Sequence, residues 1–457
     1  MLLAHSIPFD SNDPRGSLRG LPEGPGIFAL FAADPGAQPY LSKAQNLRRR
    51  LMRFLRAAES GGGDGERPPT RRLQLAHMVE RVEYSTSGSE FESSLCLYDA
   101  SLRVFGNGGS DGARRRLRLR PPAFLRMSVE NAYPRVYPTT RIGKSAAHAL
   151  FGPFPSRAGA ERYAEEMLNL FLLRRCVEDL HPDPAFPGCP YSEMKMCLAP
   201  CFRGCSDERY KQEADEVFDF LSTHGTGLLR RLAAERDAAS DGLEFERAQA
   251  LHQRMQKTQA VIHLASEAVR PLAELTGVVV QPAAQPDCVA LFCLKGGFLS
   301  GPVLYSILGM RLPNERSGSS SLFPQPVSLE PIPLEPVPQK SETPKNDAPP
   351  NEIAKNDMPK NDTKDMLEAR LAQSLAALKD REPESSSVQT LSDHLALFAR
   401  WYYRPAARRV GEIVFAGAGG EVSRKPLLRA IARVAARAAG IEVASAEKSE
   451  FPAPGPS

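Results

Sequence analysis

Five of the eight cysteines in this 457-residue chain fall between positions 176 and 205. Cys176, Cys189, Cys197, Cys201 and Cys205 follow the spacing C-x12-C-x7-C-x3-C-x3-C, with Pro187, Gly188, Pro190 and Pro200 bending the backbone between them. Disulfides are rare in a reducing compartment. Four thiolates gathered by such turns make a metal site, suited to a tetrahedral ion or an iron-sulfur cluster. The spacing leaves zinc and iron-sulfur open, and it leaves open whether Cys201 or Cys205 closes the set. Unrelated buried thiols are the plain alternative. The eight histidines form no metal-ligand spacing.

A second chemistry is that of cations. Between Ser42 and Arg56 six basic residues, Lys43, Arg48, Arg49, Arg50, Arg53 and Arg56, stand without an acid, and Arg114 to Arg126 adds six arginines. The formal net charge is only +4. Local clusters of this kind grip a polyanion more than the total charge does, although a solvated helix face has the same composition.

These groups have to be held by folded elements. A chain of this length, 42% hydrophobic and 25% charged, predicts about two to four globular domains. Residues 20 to 105 read as a small α/β unit: two short strands joined at Asp34, Pro35 and Gly36, then a helix from Ala44 to Ala58 with Leu47, Leu51, Phe54 and Leu55 on one face. A flexible insert, "SGGGDGERPPT", precedes a further strand and a helix opened by Ser89, with Glu92 completing a capping box. Ser156 caps another amphipathic helix. From Asp207 to about Ala265 two long helices are predicted, one with Leu221, Leu228 and Leu232, the other with Ala248, Leu251, Met255 and Ile262, turning at Asp241 and Gly242. Residues 275 to 310 alternate as a β-meander with Gly-Gly at a turn. Pro313 to Asp362 holds eleven prolines and three copies of "KND", a composition that cannot offset chain entropy. Order resumes at Leu391, with Trp401 expected in the core, then a basic helix and a Pro-rich tail.

The N-terminus lacks a basic start and a long apolar stretch, so it is not a secretory signal. No apolar run approaches the roughly 18 residues of a membrane span. A cytoplasmic location without membrane contact is expected.

Three separated stretches then converge on one family. "LPEGPGIFALF" with "PYLSKAQNLRRRL" resembles the GIY-YIG nuclease domain of the UvrC family, whose members incise DNA in bacterial nucleotide excision repair. "YPRVYPTTRI" and "FGPFPSRAGAERYAEEMLNLFLLRRC", followed by "CLAPC", resemble the region after that domain. "DGLEFERAQALHQRM" resembles the UVR motif, the helical hairpin that meets the partner UvrB. Order and spacing agree over roughly residues 20 to 310. The resemblance implies a four-iron cluster on Cys176, Cys189, Cys197 and Cys201, with zinc as the alternative and Cys205 as an extra. It also implies DNA and UvrB as partners, with Leu243, Phe245, Ala248 and Leu251 on the docking hairpin.

Cutting DNA with water requires a base, a metal and cations on the phosphate. By resemblance Tyr40, Lys43 and Arg50 take the places of the second tyrosine, the lysine and the arginine of the nuclease site, while Arg48, Arg49 and Arg53 would contact DNA. Lys43 and Arg50, seven apart, would share one helical face if the helix starts early enough. Three positions depart. The first tyrosine is Phe28, the glycine of the second motif is Ser42, and the metal-binding glutamate, on "SEFESSLCLYDASL", falls on Leu97. Leucine cannot ligate Mg²⁺ or Mn²⁺, which require oxygens. At about 100° per residue Glu92 and Asp99 lie roughly 140° and 160° away, and Glu90, nearly in phase, sits about 10 Å along the axis. None of the three is expected to replace the missing ligand.

The expected fold is therefore α/β and multidomain: a GIY-YIG-like unit at 20–105, a connecting region with the cysteine cluster at 106–206, a hairpin at 207–268, and a partial C-terminal α/β region at 269–312 and 388–445. A disordered insert at 313–387 interrupts it. The family's second nuclease centre and its DNA-binding helix-hairpin-helix repeats find no counterpart before Ser457. The expected function is a UvrC-like repair protein that binds DNA and docks on UvrB with its incision site impaired. The alternatives are a single-nick endonuclease using Mg²⁺ or Mn²⁺ and a non-cutting regulator of the UvrB complex.

Overall fold

The computed structural model describes residues 1–34, 36–55, 75–106, 112–143, 149–178, 180–310, 312, 360–380, 387–417 and 419–441. The first unit carries β1 (His5–Pro8), α1 (Pro14–Ser17), β2 (Gly26–Ala32), β3 (Tyr40–Ala44), α2 (Leu47–Phe54), β4 (Val79–Thr86) and α3 (Glu90–Phe105). The strands form an antiparallel sheet in the order β1-β4-β2-β3. Successive side chains of a strand point to opposite faces, so β2 divides its apolar residues between two cores. Phe28 and Leu30 join Leu47 and Leu51 of α2, whereas Ile27 and Ala29 join Ala100 of α3.

The helix expected from Ala44 begins later. Asn46 accepts a hydrogen bond from the Arg49 amide at 2.7 Å and caps α2, so the basic run crosses a strand-helix boundary and Lys43 lies on β3. Lys43 and Arg50 therefore do not share a helical face. At the start of α3 the Ser89 hydroxyl accepts from the Glu92 amide at 3.1 Å, and the Glu92 carboxylate reaches one residue beyond the expected box to the Gly88 amide at 2.7 Å. Arg56 and the insert "SGGGDGERPPT" lie outside the described residues.

The second unit contains α4 (Ala113–Arg116), β5 (Ala123–Met127), β6 (Val136–Thr139), β7 (Leu150–Phe154), α5 (Arg157–Leu168), α6 (Pro190–Glu193), α7 (Asp207–Ser222), α8 (Thr226–Asp241), α9 (Phe245–Ile262) and β8 (Arg270–Pro271). The sheet order is β6-β5-β7-β8. Ser156 caps α5 as predicted, its hydroxyl accepting from the Gly159 amide at 3.0 Å. Three helices replace the two long ones expected, because the chain turns at His224 (φ 53°) and Gly225 (φ 74°). A Cβ on Gly225 would stand 2.6 Å from the Ile262 side chain, a contact real side chains do not tolerate. Leu221 therefore lies in the last turn of α7, while Leu228 and Leu232 belong to α8. The hairpin is α8 with α9, joined at 242–244. Tyr163, Met167, Tyr210, Val217 and Phe220 fill the common core.

The third unit is β9 (Gly277–Pro282), β10 (Cys288–Lys295), β11 (Phe298–Ser306), α10 (Lys360–Lys379), α11 (Val388–Tyr402), β12 (Glu412–Phe415) and α12 (Arg424–Ala438), with strand order β11-β10-β9-β12. Gly296 and Gly297, both with positive φ, make the predicted turn. Helix α10 corrects the last part of the insert expected at 313–387, from residue 360 to 379. Leu367, Leu371, Leu375 and Leu378 recur at helical spacing, and Leu371 and Leu378 are buried against Val278, Leu291 and Tyr305. Periodicity there overrides the surrounding composition. The residues at 313–359 and 381–386, and the Pro-rich tail from 442, lie outside the described residues.

One face of this third sheet meets the first unit. Phe91, Leu95 and Tyr98 of α3 share a core with Val279 and Phe292 of the sheet and with Leu395, Phe398 and Trp401 of α11. Trp401 is buried as expected, and its Nε1 donates to the Val410 carbonyl at 2.7 Å. At this seam Gly88 lies directly against the Pro282 carbonyl, and any Cβ there would overlap that oxygen.

Candidate functional site

The two faces of the first sheet carry different chemistry. Tyr40 and Lys43 are three apart on β3, so they point to opposite sides. Tyr40 is half-exposed and stacks on Phe54 of α2, centroids 5.3 Å apart. The Arg50 guanidinium lies 5.8 Å from the same Phe54 centroid. Its Nε is buried with no hydrogen-bond partner among the described residues. Tyr40 and Arg50 are thus neighbours on one ring. Phe28 is fully buried beneath them, 6.3 Å from the Tyr40 ring, and Ser42 pairs with it across the strands. A half-exposed phenol beside an under-used guanidinium can hold a phosphate oxygen.

Lys43 faces α3 instead. Its Nζ donates to Glu90 Oε1 and to Ser94 Oγ, each at 2.9 Å. Arg404, at the end of α11, grips the same carboxylate with two hydrogen bonds of 2.7 and 2.9 Å. The Arg404 hydrogen bonds, with the Lys43 ammonium beside them, hold the Glu90 carboxyl down at about 2 against the partial burial that opposes them. Glu90 therefore reaches a sequence-predicted site residue, Lys43, without standing where Leu97 stands. The long lysine side chain spans the axial gap from its own side. Leu97, at the expected metal-ligand position, packs with Ile27, Ala29, Leu41 and Ala100. Tyr40, Lys43 and Arg50 are consequently not brought together at one point.

Of the expected DNA-contacting residues, Arg49 and Arg53 are exposed on α2. Arg48 is tied to Glu23 at 2.9 Å and to the Arg19 carbonyl. The second arginine run is largely engaged within the fold: Arg114 pairs with Asp393 at 3.6 Å, Arg116 lies 3.6 Å from the Phe105 ring centroid, and Arg126 pairs with Glu130 at 2.7 Å.

The cysteines sit on consecutive turns between α5 and α7. Lys195, Ala199 and Arg203 adopt positive φ there, which wraps the chain tightly. Burial pushes the Cys197 thiol up to about 11, and Cys176, Cys189 and Cys201 lie near enough to add to the shift. The Ala199 amide donates to Cys197 Sγ at 3.3 Å, and Arg174 Nη1 to Cys176 Sγ at 3.6 Å. Cys205 also lies near Cys201, and its thiol is raised chiefly by burial. Among the described residues no three His, Cys, Asp or Glu side chains already stand in a metal-holding arrangement.

At the tip of the α8–α9 hairpin Leu243 and Phe245 are 72% and 66% exposed. Ala248 is half-buried, and Leu251 turns inward against the second unit's core. Sequence reasoning missed Arg404 and the buried Arg174. The signal for Arg404 was only its place after an aromatic run, and for Arg174 its place two residues before Cys176.

Comparisons with known proteins find relatives for part of the chain. Residues 123–220 match the UvrC/Cho excinuclease middle-domain family. The UvrABC system protein C of Hyphomonas neptunium is 29% identical over 284 residues, covering 62% of this chain and 43% of that protein. The corresponding proteins of Ectopseudomonas mendocina and Moorella thermoacetica are 26% and 24% identical over 306 and 289 residues, covering 65% and 63% of this chain and 46% and 44% of theirs. The chain thus spans less than half the length of these relatives. No solved structure matches it. Among the described residues no helix is long and apolar enough to cross a membrane.

Proposed function

We propose that this chain, which belongs to the UvrC family, serves nucleotide excision repair by binding DNA and docking on UvrB while its own incision site is impaired. The observation that carries the reading is Leu97 packed among Ile27, Ala29 and Leu41. A divalent ion at that place requires oxygen ligands, and the nearby Glu90 is committed to two cations. Tyr40, Arg50, Arg49 and Arg53 then grip the phosphate backbone, a role that needs charge and not a general base.

The hairpin tip supplies the docking surface. Two exposed apolar side chains at a tight turn suit insertion into a partner's groove, and UvrB is the partner the family implies. Cys176, Cys189, Cys197 and Cys201 would hold a four-iron cluster or a zinc ion. The donor set is all sulfur, and the N–H groups of Ala199 and Arg174 directed at two of the sulfurs suit thiolate ligands. Such a group braces the turns between the second unit's sheet and its helices.

The deciding experiment is a nicking assay with Mn²⁺ on UvrB-loaded damaged DNA. The wild type is expected to leave the substrate intact. Cutting by the wild type that Tyr40→Phe abolishes would overturn the reading. Docking is checked by pull-down with UvrB, where Phe245→Ala should lose the complex. The visible spectrum of anaerobically purified protein separates a broad iron-sulfur band from colourless, zinc-loaded protein.

A further inference from the structure

Arg174, two residues before the first clustered cysteine, is only 2% exposed. Its guanidinium reaches three groups. Nε donates to the Tyr133 carbonyl at 2.9 Å, and Nη1 donates to the Glu178 carbonyl at 2.9 Å and to Cys176 Sγ at 3.6 Å. Among the described residues no carboxylate stands within ion-pair distance of it. A guanidinium is a permanent cation, and a buried charge is costly unless an opposite charge is beside it. The two carbonyls satisfy N–H groups but cancel no charge. Of the three partners only Cys176 can become an anion.

The surroundings hold this cation in place from both ends of the cysteine segment. The Arg174 amide donates to the Tyr210 hydroxyl at 3.1 Å, and that hydroxyl donates to the Pro134 carbonyl at 2.8 Å. Tyr133, whose carbonyl Arg174 holds, donates its own hydroxyl to Asp207 at 2.7 Å. The turn at 133–134 is thereby joined to the chain ahead of Cys176 and to the start of α7 beyond Cys205. A side chain anchored in this way cannot swing out to water to find another anion.

We propose that Arg174 is the counter-ion of the cysteine centre, a positioning residue whose buried charge is balanced when Cys176 ligates a metal as its thiolate. Four thiolates carry more negative charge than a dication cancels, and Arg174 offsets part of the excess from outside the ligand set. Without the metal the guanidinium faces only carbonyl dipoles and an uncommitted sulfur. Loading is therefore coupled to the folding of the second unit through one side chain. The inference rests on the reading of Cys176, Cys189, Cys197 and Cys201 as a metal site and adds to it a residue that is not a ligand.

The full chain, reduced and stripped of metal, is titrated with Zn²⁺ against a chromophoric chelator, and the thermal midpoint is recorded with and without zinc. Arg174→Gln keeps a hydrogen-bond donor but removes the charge, and it should weaken zinc by about 10–100-fold, the effect of losing an outer-shell partner. Arg174→Lys keeps the charge and should stay within a few-fold of the wild type, a comparison that decides the matter even where the glutamine variant does not fold. Zinc should raise the thermal midpoint less in Arg174→Gln than in the wild type, while the stripped variant melts no lower than the stripped wild type. An arginine that only packs would lower both midpoints alike. A wild type that takes up no zinc overturns the metal reading and this inference with it. Zinc affinity in Arg174→Gln equal to that of the wild type, or a loss of about tenfold or more in Arg174→Lys, overturns the counter-ion role and leaves the metal site standing.

Discussion

One sheet separates two sets of charged side chains with opposite fates. On the α2 face Tyr40 and Arg50 share an aromatic neighbour and leave hydrogen-bonding capacity unused. On the α3 face Lys43 is held by Glu90 and Ser94, and Glu90 in turn by Arg404. Residues of one short motif thus become one open cation and one closed pair. The difference follows from the two-residue period of a strand and from which helix lies over each side. It teaches that motif spacing decides residue type more securely than it decides convergence.

The largest effect expected from breaking this arrangement is on packing. Phe28→Ala should cost about 3–5 kcal/mol of stability, measured by urea unfolding, because the ring is fully buried beneath the open face. Leu97→Ala, on the other face and only half-buried, should cost clearly less. Equal losses would show that the two cores are not distinct. Next comes charge. Glu90→Gln releases Lys43 and Arg404, so affinity for duplex DNA should rise several-fold and the salt dependence of log K should steepen by roughly one. An unchanged slope in filter binding would mean that the closed face never meets a phosphate.

A smaller effect concerns acid. Glu90 titrates near 2 in the folded protein and near its ordinary value of 4.5 when unfolded. The unfolded state therefore binds more protons between those values, and the stability Glu90 contributes is lost as pH falls through that window. Melting curves from pH 5 to pH 2 should be less acid-sensitive in Glu90→Gln. The amount is small, since both ion pairs are screened by solvent. The smallest effect is at the exposed arginines. Arg49→Ala and Arg53→Ala should each change stability by less than about 0.5 kcal/mol yet each reduce the DNA salt slope by about one.

Local chemistry is legible in the sequence. Ser89 and Ser156 cap the helices they were expected to cap, and Gly296 with Gly297 turns the meander as anticipated. Boundaries failed where one property runs through a change of structure. The basic residues from Lys43 to Arg53 continue across the end of β3, and the seven-residue step from Leu221 to Leu228 continues across the turn at Gly225. Helix α10 was hidden by the prolines before it, although its leucine spacing was present. The Glu90–Arg404 bond joins residues 314 positions apart. Such contacts depend on how units dock, which no local pattern records.

Gly88 fixes one more property of the molecule. Backbone touches backbone where it meets Pro282, so no rotamer stands between the two bodies to yield under load. A methyl group there would act as a wedge, pushing apart the two segments that now meet backbone to backbone.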